Sequence, residues 1–288
     1  MKTTQWIIKN TADLSGKTVA ISGATGGLGR ELCFHLCSLG ASLCLLDRSE
    51  QKSIVLENEL KKQYSDTQIS RILLDLEDID SVKSAADTLC AAPPDYLILN
   101  AGAYSIPRHK CSTGFDNVYQ INFVSPYYLA CRLLPHIKSK GGKIVAVGSI
   151  AHNNSVFDPN DVDFSSRTKA SLCYGNAKRQ LMYALWGLDE NNTVCIAHPG
   201  ITFTNITAHY PPLIFALIKY PMKIIFMKPV RASLSIISGL FCYCDKNEWI
   251  GPRLFNIWGL PKKRMLLTAS KWETKEIFAL AKKIYKSL

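Results

Sequence analysis

The chain has 288 residues, 47% of them hydrophobic and 20% charged, a composition typical of a globular protein with a large core. Residues 1–16 are too polar for a signal peptide, and the absence of an 18-residue apolar run excludes a membrane-spanning class. The net charge of +11 is unevenly distributed. Residues 1–199 contain 20 Lys and Arg and 19 Asp and Glu, whereas residues 200–288 contain 14 Lys and Arg and only 4 Asp and Glu. This basic end favours a membrane surface or an acidic substrate over nucleic acid, because no nucleic-acid recognition motif is present.

The ten cysteines stand at irregular spacings, and several lie within apolar runs. There is no C-x-x-C pair and no cluster of Cys and His with the spacing of a zinc site. We therefore expect reduced thiols in a cytoplasmic protein and no metal site.

Up to Pro199 the pattern alternates short apolar strands with amphipathic helices. The predicted strands are Lys17–Ser22, Ser42–Asp47, Ile69–Leu74, Tyr96–Asn100, Lys143–Gly148 and Thr193–His198. The predicted helices between them are Leu28–Leu39, Gln51–Tyr64 and Ile79–Cys90. Continuous apolar strands alternating with helices indicate a parallel sheet covered on both faces. We predict a Rossmann-like, doubly wound α/β fold with six or seven parallel strands, in a single domain over residues 1–288.

The segment after Pro199 differs in character. Residues 203–228 are rich in aromatic and aliphatic side chains but are broken by three prolines, so they are too interrupted to span a bilayer. A helix, a last strand and a basic tail are predicted beyond them, at Pro229–Tyr243, Pro252–Ile257 and 262–288, the tail containing an amphipathic helix at Lys271–Leu288.

A glycine-rich turn, Ser22-Gly23-Ala24-Thr25-Gly26-Gly27-Leu28-Gly29, follows the first strand. Glycines in this context let backbone N–H groups approach a pyrophosphate at the positive end of a helix. Asp47 ends the second strand, where a carboxylate would take the ribose hydroxyls of the adenosine half. The turn therefore predicts dinucleotide binding. Asp47 repels a 2′-phosphate and favours NAD, whereas Arg48 could pair with that phosphate, so NADP stays open.

Tyr174 and Lys178 stand four residues apart and would lie on one face of a helix. An ammonium that close favours the phenolate, so we expect Lys178 to lower the pKa of Tyr174 toward cellular pH. The pair would then act as a proton donor and acceptor, although the spacing alone is a weak signal.

Further motifs stand in a fixed order along the chain. They are Gly23, Gly27 and Gly29, then Asn100-Ala101-Gly102, Asn122, Ser149, Tyr174 with Lys178, and Pro199-Gly200. In this order and spacing the chain resembles the short-chain dehydrogenase/reductase family. Flanking strings resemble its retinol-dehydrogenase-like branch, which acts on lipophilic alcohols and ketones: Asp75-Leu76, Gly114-Phe115-Asp116 and Gly148-Ser149-Ile150-Ala151-His152.

The resemblance implies a role for each catalytic residue. Tyr174 would be the general acid and base, and Lys178 would lower its pKa and hold the nicotinamide ribose. Ser149 would hydrogen-bond the substrate oxygen, and Asn122 would order a water that links Lys178 to solvent. Cofactor binding is assigned to Gly23, Thr25, Gly26, Gly27, Leu28, Gly29, Asp47, Arg48, Asp75, Leu76, Asn100, Ala101, Gly102, Tyr174, Lys178, Pro199, Gly200 and Thr202.

The implied function is an NAD(P)-dependent oxidoreductase that interconverts a lipophilic alcohol and its ketone or aldehyde. Residues 203–228 would form a substrate loop, and lysines of the basic C-terminal third would contact a membrane surface peripherally. The resemblance also implies a homo-oligomer. Two alternatives remain: a non-catalytic dinucleotide sensor or scaffold, and an extended-type epimerase or dehydratase, whose glycine spacing Gly23, Gly26 and Gly29 also fit.

Overall fold

The buried strands lie side by side in one sheet. The computed structural model describes residues 2–188, 192–202 and 226–288. The strands in these ranges are β1 (Thr18–Ser22), β2 (Ser42–Asp47), β3 (Ile69–Leu73), β4 (Tyr96–Leu99), β5 (Lys143–Val147), β6 (Val194–Ala197), β7 (Glu248–Leu254) and β8 (Trp258–Met265). Their order across the sheet is β3-β2-β1-β4-β5-β6-β7-β8, and β1 to β7 are parallel. This confirms the predicted doubly wound, mostly parallel fold.

Helices cover both faces of the sheet. They are α1 (Thr3–Asn10), α2 (Gly27–Ser38), α3 (Glu50–Gln63), α4 (Ile79–Ala91), α5 (Asn117–Tyr119), α6 (Ser125–Ser139), α7 (Ala170–Leu188), α8 (Pro229–Phe241) and α9 (Lys271–Ser287). A π-helical segment at Gln120–Val124 joins α5 to α6, and a 3₁₀ helix occupies Ile150–Asn154. Within the described ranges, every helix is too short or too polar to cross a membrane.

Alternate residues of each strand feed two cores. Ala20 of β1 belongs to the cluster shared with α4, α6 and α7, whereas Val19 and Ile21 belong to the cluster shared with α2, α3 and α8. This division is the reason that the central strands are apolar at nearly every position, since each face of the sheet packs against helices. All ten cysteines are free thiols in the structure.

The eighth strand was not predicted, and the predicted last strand was misplaced. β7 spans Glu248–Leu254 and turns back through Phe255 and Asn256, both with positive φ, into the antiparallel strand β8. Among the described residues β8 is the last strand of the sheet and is paired with β7, and its three charged residues at 262–264 interrupt the apolar signal of a strand. The sheet therefore has seven parallel strands and one antiparallel edge strand.

The carboxyl ends of the parallel strands form one edge of the sheet, where ligands of such folds bind. The glycine turn, Asn100, Ser149 and Pro199 all follow strands at that edge. Most of the predicted substrate loop, residues 203–225, lies outside the described residues. The two residues that border it are paired, because Thr202 forms a parallel bridge with Met227.

Candidate active site

The glycine turn wraps tightly around the end of β1. Gly23 has a φ of +67°, and a Cβ there would stand 3.0 Å from Cα of Ala101. A Cβ on Gly29 would stand 2.1 Å from the carbonyl oxygen of Gly23, so only glycine fits. Gly26 and Gly27 are exposed at the start of α2, whose first turn carries no acidic residue. The open N–H groups at this helix end fit the pyrophosphate of a dinucleotide.

Asn100 fixes the shape of the same turn. Its Nδ2 donates to the carbonyl oxygens of Ser22 and Gly23, both at 3.0 Å. The Ser22 hydroxyl in turn accepts the backbone N–H groups of Asn100 and Ala101, both at 3.1 Å. The segment Asn100-Ala101-Gly102 thus joins the end of β4 to the turn after β1, at the predicted cofactor cleft.

Asp47 lies beside the turn with both carboxylate oxygens engaged. It is 7% exposed. Oδ1 accepts the backbone N–H of Thr25 at 3.2 Å and its hydroxyl at 2.9 Å, and Oδ2 accepts the Ser53 hydroxyl at 3.2 Å. Burial raises the pKa of Asp47, and the hydrogen bonds from Thr25 oppose that effect. The neighbouring Arg48 is exposed.

The other predicted cofactor residues lie at the same edge of the sheet. Asp75 and Leu76 follow β3, where the Asp75 carboxylate accepts the backbone N–H of Glu77 at 3.0 Å. Pro199 and Gly200 follow β6. Gly200 has a φ of +85°, and a Cβ there would stand 2.6 Å from the carbonyl oxygen of Ile257, so glycine is required.

Ser149, Tyr174 and Lys178 are brought together by the close packing of α7 on the 3₁₀ helix. A Cβ on Gly175 would stand 2.3 Å from the carbonyl oxygen of Ala151, so glycine permits this approach. The hydroxyl of Ser149, directly after β5 and Gly148, lies close enough to the Tyr174 hydroxyl to lower its pKa. The Nζ of Lys178 lies 5.8 Å from the centroid of the Tyr174 ring.

Lys178 is buried to an unusual degree for a lysine. It is 2% exposed, and its Nζ donates to the carbonyl oxygen of Val147 at 3.0 Å. Burial lowers its pKa to about 8, because the charged form loses its hydration. The side chain is therefore close to its titration point under mildly alkaline conditions.

Tyr174 differs from the expectation of a lowered pKa. Burial raises its pKa to about 12, and the Ser149 hydroxyl opposes this shift. The ring of Tyr104 packs edge-on against the Tyr174 ring, with centroids 5.4 Å apart, and also raises the pKa. Desolvation of the phenol thus outweighs its nearness to the ammonium, and the phenol of Tyr174 is neutral at pH 7.

Asn122 lies in the π-helical segment, a distortion that is frequent at functional sites. Its Nδ2 donates to the carbonyl oxygens of Ala103 and Val118, both at 2.8 Å. A Cβ on Gly102 would stand 2.7 Å from Oδ1 of Asn122 and 3.5 Å from Nζ of Lys178. Gly102 therefore lets the two side chains share one small space.

Tyr104 was missed by the sequence analysis. It stands two residues after Gly102 and forms part of the wall around the Tyr174 ring. The sequence shows only that an aromatic residue follows the Asn100-Ala101-Gly102 motif. That position alone does not predict a contact with Tyr174, because the contact depends on the fold.

Comparisons with known proteins place this site in a family. The model of the family described as short chain dehydrogenase matches residues 17–160, half of the chain. Retinol dehydrogenase 12 of Homo sapiens is 26% identical over 272 residues, which cover 87% of this chain and 84% of that protein. Retinol dehydrogenase 14 of Mus musculus is 30% identical over 216 residues, which cover 68% of this chain and 64% of that protein.

The fold is shared more widely than the sequence. A solved structure of an uncharacterized protein from Mycobacterium paratuberculosis has a TM-score of 0.74 at 22% identity, with 96% of each chain covered. The family match, the relatives and the arrangement of the sheet confirm both the predicted family and the prediction of an enzyme. The chain belongs to the short-chain dehydrogenase family, in its retinol-dehydrogenase-like branch, and it is an oxidoreductase.

Proposed function

We propose that the chain interconverts a lipophilic alcohol and its ketone or aldehyde, using NAD(P) and Tyr174 as the acid and base. The observation that carries the proposal is the placement of Ser149 and the buried Lys178 beside one phenol, since the Ser149 hydroxyl acts on the pKa of Tyr174 and Nζ of Lys178 lies 5.8 Å from the centroid of its ring. A phenol, a hydroxyl and an ammonium at the carboxyl edge of a dinucleotide-binding sheet are suited to proton transfer at a carbonyl oxygen.

The roles follow from the protonation states. Tyr174 donates its proton to the carbonyl oxygen in reduction, and Ser149 donates a hydrogen bond to the same oxygen. Lys178 in its charged form stabilises the phenolate that remains. Hydride transfer is the chemistry that a bound nicotinamide cofactor supplies. Because the pKa of Lys178 is lowered to about 8, this stabilisation weakens as the pH rises through that value.

We propose that a proton returns to Tyr174 by way of a water molecule held at Asn122. Pro126 stands four residues after Asn122 and has no N–H to donate to the Asn122 carbonyl oxygen. A water held by this carbonyl could hydrogen-bond the nearby Lys178, which would pass the proton to Tyr174. This arrangement gives Asn122 the water-ordering role that the resemblance implies.

Replacement of the phenol tests the central proposal. Tyr174→Phe should lower kcat/KM by roughly 10²- to 10⁴-fold, the usual contribution of general acid catalysis, while the Kd of the cofactor stays within about twofold. Tyr285→Phe, on α9, is the matched control and should keep its turnover. Turnover by Tyr174→Phe within threefold of the parent chain would show that another group moves the proton.

NAD is the proposed cofactor of preference. The Asp47 carboxylate beside the turn repels a 2′-phosphate, and the exposed Arg48 next to it would oppose this effect. Titration should give a lower Kd for NADH than for NADPH. Asp47→Ala should reduce the ratio of the Kd of NADPH to the Kd of NADH by at least about tenfold, whereas Arg48→Ala should increase this ratio. Tighter binding of NADPH by the parent chain would contradict the preference.

A lipophilic substrate is favoured by apolar residues beside the cleft. Met227, at the far border of the proposed substrate loop 203–228, is 1% exposed and packs near Gly200. Across a panel of alcohols of increasing length, kcat/KM should rise severalfold for each added pair of methylenes, since each buried methylene contributes about 0.8 kcal/mol. Equal values of kcat/KM across the panel would contradict the proposal of a lipophilic substrate.

Peripheral contact with an anionic membrane surface, from the cytoplasmic side, is proposed through the turn between β7 and β8. Phe255 is 86% exposed there, is held at a positive φ, and has Arg253 as a cationic neighbour. Exposed aromatic and cationic side chains together favour the interface of an anionic bilayer. Phe255→Ser should weaken binding to phosphatidylserine vesicles at low salt, and Leu267→Ser, also at an exposed position, is the control. Failure of the parent chain to bind these vesicles would exclude the contact.

A further inference from the structure

Three side chains with metal-binding atoms meet beside the cofactor edge of the sheet. They are the carboxylate of Glu77, the imidazole of His109 and the thiol of Cys111, whose ligand atoms all lie within 4.8 Å of one another. Nε2 of His109 is 2.6 Å from a carboxylate oxygen of Glu77. The cluster is half open to solvent, so an ion could reach it without rearrangement of the core.

The loop before α5 holds two of these side chains on one side. Cys111 donates its backbone N–H to the carbonyl oxygen of Phe115 at 2.9 Å, and Lys110 forms an antiparallel bridge with Asp116. Residues two apart on such an extended stretch point the same way, which directs His109 and Cys111 together. Glu77 comes from a separate part of the chain, the segment that follows β3.

Asn117 lies against the outer nitrogen of the imidazole. Its Nδ2 is 3.2 Å from Nδ1 of His109 and donates to the carbonyl oxygen of Pro107 at 3.0 Å. When Nε2 binds a metal, Nδ1 carries the proton, so Asn117 would have to yield its contact with Nδ1 while it keeps the hydrogen bond to Pro107.

The electrostatic environment favours a cation. Burial and the carboxylates of Glu77, Asp116 and Asp75 raise the pKa of the Cys111 thiol to about 11. Asp116 is already paired with Arg108 at 2.9 Å. A divalent cation at the cluster would offset the repulsion between these carboxylates and a thiolate. It would therefore favour the thiolate, which is the form that binds metals.

We propose that Glu77, His109 and Cys111 bind a zinc ion, with a water molecule in the fourth position. Zinc takes thiolate sulfur at about 2.3 Å and nitrogen or oxygen at about 2.0–2.2 Å, so its ligand atoms stand roughly 3.2–3.8 Å apart in a tetrahedron. Movements of about 1 Å by the ligand atoms, through side-chain rotation, would bring them to these separations. The thiol proton leaves to solvent on binding, and the mixed sulfur, nitrogen and oxygen set favours zinc over magnesium or calcium.

The ion would connect two segments at the cofactor edge. Glu77 stands two residues after Asp75, and the loop of His109 and Cys111 leads into the π-helical segment of Asn122. None of the three ligands takes part in the proposed proton transfer, so the site would be structural or regulatory. The sequence analysis predicted no metal site, because Glu77 is remote in sequence and His-x-Cys alone has no zinc spacing.

Cobalt serves as the spectroscopic probe. The full-length, tag-free chain is freed of metal with a chelator and titrated with Co²⁺, then with Zn²⁺. We expect a thiolate-to-cobalt charge-transfer band that saturates at one equivalent and is abolished by Zn²⁺. Calorimetry with Zn²⁺ should show at least about tenfold weaker binding for Cys111→Ser, His109→Ala and Glu77→Gln, each checked for an unchanged circular dichroism spectrum.

Cys90→Ser is the matched control, since Cys90 is also a partly exposed free thiol but lies near Arg132. It should keep the band and the affinity. Absence of the band from the parent chain would overturn the proposal and leave the cluster as an ion pair with a neighbouring thiol. A band of unchanged intensity in both Cys111→Ser and His109→Ala would also overturn it, since other cysteines would then bind the metal.

Discussion

Two buried histidines, His152 and His198, contact Trp249 near the candidate site. His198 stacks on the Trp249 ring with centroids 5.2 Å apart, and His152 meets it edge-on at 5.6 Å. Nδ1 of His198 is 3.3 Å from the carbonyl oxygen of Gly148, and Nδ1 of His152 is 2.6 Å from that of Ser149. Burial lowers the pKa of both, that of His198 to about 4, so the folded protein holds them neutral.

These histidines should make the fold sensitive to acid. Below pH 6.5 the unfolded chain binds protons that the folded chain excludes, so stability is full above that pH and falls as the pH approaches 4. For His198 alone, the free energy of unfolding should drop by about 2 kcal/mol between pH 7 and pH 5. Urea unfolding at both pH values measures this. His198→Gln should show a smaller drop, and an equal drop would assign the effect to other groups.

At the residue scale the sequence could nominate the candidate site residues but not their electrostatics. Ser149, Tyr174 and Lys178 could be singled out because their order and spacing are those of a family. The raised pKa of Tyr174 could not, because it depends on burial and on Tyr104, which reaches the phenol only through the fold. The partners of Asp47 were hidden for the same reason, since Ser53 comes from the following helix.

At the scale of elements, one glycine governs the meeting of α7 with the 3₁₀ helix. Gly175→Ala should push Tyr174 away from Ser149, because the new methyl would lie 2.3 Å from a backbone oxygen that cannot easily yield. We expect kcat to fall by at least about tenfold with the cofactor Kd little changed, since a misplacement of about 1 Å can cost that much or more. Steady-state kinetics and cofactor titration separate the two effects.

Gly187→Ala is the matched control on the same helix. Its Cβ would meet the side chain of Phe278 at 2.6 Å, so it tests packing of α7 against α9 without disturbing the Ala151 contact. It should lower stability but spare the turnover of the folded enzyme. Equal losses of kcat in both variants would mean that any strain on α7 disables the site.

The six strands and three helices predicted in the alternating region were correct to within a residue or two, whereas α6 and α7 had no predicted bounds. β2 was predicted at its observed bounds, because apolar side chains end abruptly at Asp47. The π-helical segment was not predicted, since a single extra residue in a helical turn leaves the apolar pattern nearly unchanged. β8 was not predicted because it is an edge strand with charged residues at successive positions.

At the scale of the whole molecule, a buried ion pair fastens the C-terminal helix to the catalytic region. Nε of Arg179 lies 2.5 Å from one carboxylate oxygen of Glu273, and Nη2 lies 2.7 Å from the other. Arg179 also donates to the carbonyl oxygens of His152 and Thr268, at 3.2 and 2.7 Å. The carboxylate of Glu273 in addition accepts the backbone N–H of Phe157 at 3.0 Å.

Removal of one partner should be costly. Glu273→Gln leaves the Arg179 charge buried without its counter-ion, so the free energy of unfolding should fall by about 3–5 kcal/mol. Asp87→Asn, which breaks the exposed pair with Arg132, should cost less than about 1 kcal/mol. Chemical denaturation of both variants checks the contrast, and similar small losses would show that the backbone contacts of Arg179 suffice.

The edge strand β8 also limits how copies of this molecule can associate. Among the described residues β8 is an edge strand of the sheet, and it carries three consecutive cations, Lys262, Lys263 and Arg264, directly after Pro261. Lys263 is paired with Glu248 at 2.9 Å, which leaves two cations without this partner. A second copy that added its own β8 to this edge would bring cations near cations, and the proline would withhold a backbone donor. Growth of the sheet from one molecule into the next is therefore opposed by charge, so a homo-oligomer, which the family resemblance implies, would more readily form at another surface.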